Sequence, residues 1–362
     1  MDCTIDNPDP PIPTNPLISK LFCTPLARAP STGCEYCEVK TEDLLRCGRC
    51  KTTFYCSREH QIAHWPYHKV ACHRIKNYRI DEPVIQRVDV NRLINPNTMA
   101  SQVWEHSMLR QRIDQVLNYL GDVALINTTG SVNIQLTRVM ELLGGVRSQQ
   151  DGLRDVPPAL MLRLGRLQEC YYLLKWHAGA LPEETYQWKD GEENLAICTE
   201  TAKVFEPITC FYKALQFEET IVHLVFLALL KIRLLFELRK MNVTAILLRK
   251  RLPQELVDFI MEHVPENPAI AMDRRTVRGT SRMELVGDLN AQILKIYKFV
   301  DHLNSHFWGA LLSPDSHLQE NPTQYTPGSI EEMQLALKRT YREWVLTPGS
   351  LDYIKSTREG QN

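Results

Sequence analysis

The chain has 362 residues, 44% of them apolar, with 42 basic against 43 acidic side chains and a formal charge of −1. That length supports one sizeable core or two, and so even a balance points neither to nucleic acid nor to an anionic membrane surface. The greasiest run, 221–238, is interrupted by His223, Lys231, Arg233 and Glu237, which predicts a buried helix and excludes a membrane span.

Residues 1–30 hold Pro8, Pro10, Pro11, Pro13, Pro16, Pro25 and Pro30, a density that disfavours helix and predicts an extended, disordered tail. The same stretch has no apolar core of a secretory signal. The expected setting is therefore intracellular and reducing, with nucleus and cytoplasm indistinguishable.

From Cys34 onward the chain carries four pairs of donors. Cys34 and Cys37 are separated by two residues, as are Cys47 and Cys50; Cys56 and His60 are separated by three, as are His68 and Cys72. A Cys-x2-Cys pair sits on a tight knuckle with both thiolates facing one ion, and an x3 pair on a helix places its donors one turn apart on one face. Eight thiolate and imidazole donors in four chelating pairs imply two four-coordinate zinc ions with no position left for water. His64, one turn beyond His60, is a competing donor, although the x3 interval from Cys56 favours His60. His73 is expected to be solvated. Cys3, Cys23, Cys170, Cys198 and Cys210 show no pairing intervals, and the last three sit in apolar helical contexts as small core residues.

The order of the pairs, the Phe54-Tyr55-Cys56-Ser57 entry and the Gln61, His64, Trp65, His68, Cys72 close resemble a MYND-type zinc finger. The resemblance covers residues 34–72 alone. It implies that the pairs interleave, one zinc held by Cys34, Cys37, Cys56 and His60 and the other by Cys47, Cys50, His68 and Cys72. The family usually has cysteine where this chain has His60; imidazole is still a good zinc ligand. The resemblance also implies a finger that grips short proline-containing peptides through a Gln and a Trp four apart, matched here by Gln61 and Trp65. That spacing puts an amide and an indole side by side on one helix face, and packing of Trp65 against the zinc core is the competing role. Pro16-Leu17-Ile18 is a candidate to occupy that groove from within the chain.

So short a segment buries too little apolar surface to fold alone, and zinc supplies its stability. Chelation is accordingly expected to unfold Cys34–Cys72 and leave the downstream helices intact. Between Cys34 and Arg79 nine basic residues face five acidic ones. Once two three-thiolate sites are counted the excess falls to about plus two, a solvated face and no nucleic-acid footprint.

A linker is expected over 79–97, around Pro83 and Pro96, followed by an all-helical domain over 98–362. Helices are predicted from Trp104 to near Gly121, then up to Leu143 with Gly144-Gly145 as the stop. One regular helix is predicted from Pro157-Pro158 through Leu160, Leu164, Leu167, Tyr171 and Leu174. Others are expected at about 194–217, 218–240, 253–264 and 288–307. The last strong one, Ile330–Leu346, opens on Ser329 with Glu332 three residues on, a capping box. Met272–Arg282, with Arg274, Arg275, Arg278 and Arg282, is expected to be a basic loop, and Arg249-Lys250-Arg251 a basic step. The fold class is thus mostly α, a small two-zinc finger followed by helices.

No nucleotide loop, dinucleotide fingerprint or nucleophile elbow appears, and none of the 11 histidines is followed two residues on by an acid. His302 and His306, four apart, lack the acid of a His-Glu-x-x-His motif. The resulting reading is a zinc-binding interaction protein, regulatory or scaffolding, with a protein or peptide partner on the finger and neither nucleic acid nor membrane. Its rivals are a diverged SET-type lysine methyltransferase and a ubiquitin-ligase adaptor.

Overall fold

A computed structural model describes residues 12–22, 29–77, 99–145, 152–178, 203–212, 221–279 and 281–360. The expected linker, Cys3, Cys23, Cys198 and most of the helix expected at 194–217 lie outside the described residues. The chain divides into two compact units, Asn15–Leu164 and Met1–Thr14 with Gly165–Asn362. The helices expected to form one domain after the linker are therefore split, and the earlier ones belong with the finger.

The first unit opens on helix α1, Pro16–Phe22. The expectation of a disordered tail fails here, because proline is excluded from a helix interior and not from its first position, where its missing N–H is not needed. Asn15 caps the helix, its Oδ1 accepting from the Leu17 N–H at 2.9 Å. Ile18, Leu21 and Phe22 are buried while Pro16 is exposed, so Pro16-Leu17-Ile18 is the first turn of a docked helix and not a spare peptide. The finger follows, with a short antiparallel pair of strands, Leu45–Arg46 and Phe54–Tyr55, leading into α2, Arg58–Asn77. Then come α3, Met99–Ala124, and α4, Thr129–Gly145. A single 3-10 turn, Leu153–Asp155, leads to α5, Val156–Arg163. Helices α1 and α2 both pack on α3, and α5 packs on α4.

The long regular helix predicted from Pro157 is two helices. Gly165, at φ +71°, takes a left-handed conformation open to glycine, and the chain restarts as α6, Leu167–His177. That glycine also begins the second unit. In the part of 194–217 that is described, a turn and a 3-10 segment, Ile208–Tyr212, replace the expected helix.

Helix α7, Ile221–Arg249, is the spine of the second unit. Lys231 lies at its buried centre, its Nζ donating to the carbonyls of Val204 and Glu206 and lying 4.7 Å from the Tyr171 ring centroid. Beyond it run α8, Gln254–Met261, α9, Pro268–Ala271, and α10, Arg274–Arg278. The longest partner of α7 is α11, Arg282–Leu303. Helix α12, Phe307–Leu312, is separate from α11 because Asn304 turns extended, at φ −151° and ψ 95°. His302 and His306 consequently do not share one helix face. A 3-10 turn, Asp315–Leu318, and α13, Ile330–Val345, follow. The capping box is present with one change: Ser329 accepts from the Glu332 N–H at 3.1 Å, while the Glu332 carboxylate reaches back to the Gly328 N–H at 2.7 Å. The last helix, α14, Ser350–Glu359, had no sequence expectation. Ile12–Pro13 pairs antiparallel with Gln324–Tyr325. Among the described residues no helix is long and apolar enough to cross a membrane.

Candidate metal centre

The finger is built by one turn used twice. After Cys37 the backbone at Glu38 takes φ 62°, and after Cys50 the backbone at Lys51 takes φ 57°. In both, the N–H of that residue donates to the carbonyl of the first cysteine, Glu38 to Cys34 at 2.7 Å and Lys51 to Cys47 at 2.9 Å. Each knuckle thereby turns its two thiols to the same side. The strand pair carries Cys56 in from Phe54–Tyr55, and α2 supplies His60, His68 and Cys72.

The donors gather into two groups, Cys34, Cys37, Cys56 and His60, and Cys47, Cys50, His68 and Cys72, with all donor atoms of a group within 4.8 Å of one another. A zinc with Zn–S of about 2.3 Å and Zn–N of about 2.0 Å sets tetrahedral edges of about 3.8 Å between sulfurs and about 3.5 Å from sulfur to nitrogen. Cys37 and Cys56 Sγ stand 3.6 Å apart, and Cys47 and Cys72 Sγ 3.7 Å. From sulfur to nitrogen, Cys34 to His60 Nδ1 is 3.7 Å and Cys50 to His68 Nε2 is 3.4 Å, with Cys56 to His60 Nδ1 tighter at 3.0 Å. The donor set and its edges fit two zinc ions, each with four protein ligands. Where both sites are filled, the metal closes each group and supplies structure.

The two sites differ in exposure. Cys47, Cys50, His68 and Cys72 are all buried, whereas in the other group only Cys34 is, with Cys37, Cys56 and His60 half-exposed. The buried site has the fuller surround: Thr52 Oγ1 donates to Cys50 Sγ at 3.1 Å, and Thr53 Oγ1 lies 3.4 Å from His68 Nδ1. Such contacts fix which nitrogen faces the metal.

The electrostatics single out one thiol in each group as the readier thiolate, Cys34 and Cys50, while Cys47, Cys56 and Cys72 are raised. Burial alone would push Cys34 up, yet the backbone around Cys56, Cys37 and Tyr36 and the His60 side chain bring it down to about 6. The Cys47 side chain lowers Cys50 against the cost of burial, helped by His68 and Thr52, while that same bond raises Cys47. Tyr55, by contrast, is pushed up by burial and by the Cys47 and Cys50 charges. Its hydroxyl sits 3.0 Å from His64 Nδ1. His64 thus belongs to Tyr55 and to neither donor group, and the competition with His60 is settled for His60.

Gln61 is half-buried on α2, one turn before Trp65. The indole of Trp65, also half-buried, has the Arg49 guanidinium 5.4 Å from its centroid and the rings of His73 and His68 at 5.8 and 6.1 Å. His73, expected to be a solvated bystander, is exposed but pairs with Arg49 at 2.9 Å.

One part of the site escaped sequence reasoning. Thr128, fully buried in the turn between α3 and α4, donates its Oγ1 hydrogen to the Thr52 carbonyl at 2.6 Å and accepts from the Ser131 N–H at 3.0 Å. Beside it, Ser31 donates to Asn127 and accepts from Thr129, a one-residue parallel bridge. Gly130 packs under Phe54, where a Cβ would stand 2.7 Å from the ring. The finger's inner loop therefore rests on the α3–α4 turn.

Two interleaved four-donor sites strung between paired knuckles and a helix define a cross-braced, two-zinc finger. The comparisons with known proteins make this specific: the family profile of the MYND finger matches residues 34–72, and this segment is a MYND finger. Egl nine homolog 1 of Mus musculus is 55% identical over 40 residues, 10% of this chain and 10% of that protein. N-lysine methyltransferase SMYD2 of Homo sapiens is 54% identical over 39 residues, 11% of this chain and 9% of that one. The likeness thus spans about a tenth of each relative and stops at the finger. No solved structure matches the chain significantly. A MYND finger is a protein-interaction module, and that much of the function follows from residues 34–72.

Proposed function

We propose that this chain is an intracellular, zinc-dependent interaction protein whose finger takes a short proline-containing segment of a partner on the Gln61/Trp65 side of α2. The observation that carries this reading is the indole of Trp65. It is half-exposed, braced by Arg49 and His73, and one helical turn from the Gln61 amide. A fixed aromatic surface suits a proline ring, and an adjacent amide suits the backbone of an extended peptide. Arg49, exposed beside Trp65, and Lys69, exposed one turn further along α2, favour a peptide with an acid next to the proline. Six ligand thiols that must stay reduced suit a reducing compartment. The helical second unit would act as the scaffold.

The test is titration of the zinc-loaded full chain with short proline-containing peptides, with and without a neighbouring acid. Trp65→Ala and Gln61→Ala should each weaken binding about tenfold or more, with two zincs per chain retained. Equal affinity of both variants and wild type, at full zinc content, would refute the reading.

A further inference from the structure

The basic stretch Met272–Arg282 and the step Arg249-Lys250-Arg251 take no part in the finger. The stretch is not the loop expected from sequence: Arg274–Arg278 is α10, and Arg282 is the first residue of α11. Arg282 is only 2% exposed, and its Nε and Nη1 are enclosed without a hydrogen-bond partner. Burial lowers its pKa, and so does the charge of Arg249, a second cation where an acid would be expected. A buried guanidinium without an acceptor is costly, and such an orphan calls for an ordered water or a bound ion to complete its bonding.

Two further features share the spot. Ser281 occupies the cap position of the 22-residue helix α11 but makes no side-chain cap bond, so the first-turn N–H groups carry no side-chain acceptor. An uncapped helix start presents N–H donors and the positive end of the helix dipole. Gly279, at φ +89°, stands where a Cβ would lie 2.5 Å from Arg282 Nη2, so it is glycine that lets the guanidinium lie against the chain just ahead of the helix start. Arg249, Arg274 and Arg278 are exposed, as is the single first-turn acid, Glu284.

We propose that the amino-terminal end of α11 binds an oxyanion of the phosphate class, held by the Arg282 guanidinium, the first-turn N–H groups and the charge of Arg249. The chemistry fits because the planar fork of arginine matches two oxygens of a tetrahedral anion, which a halide cannot offer. The site lies in the Gly165–Asn362 unit, and its fate is independent of what the finger binds.

The experiment is calorimetric titration of the zinc-loaded full chain with inorganic phosphate at constant ionic strength, chloride being the replaced ion. Saturable uptake of one phosphate per chain is expected, with sulfate competing. Arg282→Lys, which keeps the charge and loses the fork, should weaken binding at least tenfold, as should Arg249→Glu. The latter, at an exposed position that protects the test against misfolding, also places a carboxylate beside Arg282 and should raise the melting temperature in phosphate-free buffer. Lys295→Glu, on the exposed side of α11, should leave affinity unchanged. No saturable uptake beyond that of chloride, or equal weakening by Lys295→Glu, would overturn the proposal.

Discussion

Replacing Thr128 by valine keeps the shape of a fully buried side chain and removes one oxygen. That oxygen does two jobs: it donates to the Thr52 carbonyl at 2.6 Å and accepts from the Ser131 N–H at 3.0 Å, where it caps α4. Loss of a threonine cap costs about 1 kcal/mol, and an enclosed carbonyl left without its donor costs about 1–3 kcal/mol. Thr128→Val should therefore destabilise the Asn15–Leu164 unit by about 2–4 kcal/mol, whereas Thr128→Ser, which keeps the hydroxyl, should cost much less. The assay is urea unfolding followed by far-ultraviolet circular dichroism, with released zinc read in parallel by a chromogenic chelator. Because the lost bond joins the finger to α3 and α4, metal release and loss of helix should shift together to lower urea in the valine variant. A change within about 0.5 kcal/mol of wild type, or a serine variant as damaged as the valine one, would show that the finger does not rest on this turn.

Other outcomes follow from the same geometry. Freshly purified protein should hold two zincs, and a mild chelator should empty the half-exposed Cys34, Cys37, Cys56, His60 site well before the buried one; single-phase release, or the opposite order in Cys37→Ser against Cys50→Ser variants, would count against it. Gly130→Ala should cost about 1–3 kcal/mol, since its methyl would meet the Phe54 ring, a loss readable in the same urea series. Lys51→Gly should be neutral or stabilising by up to about 1 kcal/mol, because a residue at φ 57° is relieved. Glu237 accepts from the Glu266 and Asn267 N–H groups, yet burial raises its pKa. Its contribution is then fully present below the ordinary carboxylate range and lost as pH rises through its folded value. The stability of wild type relative to Glu237→Gln should fall as pH is raised from about 4 towards neutrality, and a pH-independent difference would refute the assignment.

What could be read from the chain beforehand was the chemistry that recurs at fixed intervals. All eight metal donors stood out because two- and three-residue gaps have a direct meaning for one ion, and the long helices because apolar side chains return every three to four residues. The breaks were harder. The stripe from Leu160 to Leu174 runs in phase through Gly165, so periodicity alone could not show that the backbone turns left-handed there. Counting prolines misjudged α1, where one proline sits at the single helical position that suits it and an asparagine caps the end. Thr128 gave no signal, since one threonine in a polar turn looks like any other until the finger's carbonyl is seen above it. The same holds for Arg282, whose neighbour Arg249 arrives from the end of α7, more than thirty residues earlier.

The meeting of Ser31 and Thr128 bears on how this finger can be handled. Residues 34–72 carry every ligand, yet the underside of their inner loop is supplied by a turn more than fifty residues downstream. Cut out at its family boundaries, the module would expose a carbonyl and an aromatic edge that here are sheltered. A transplant into another chain should keep its full stability only if the stretch from about Ala29 to Gly145 moves with it.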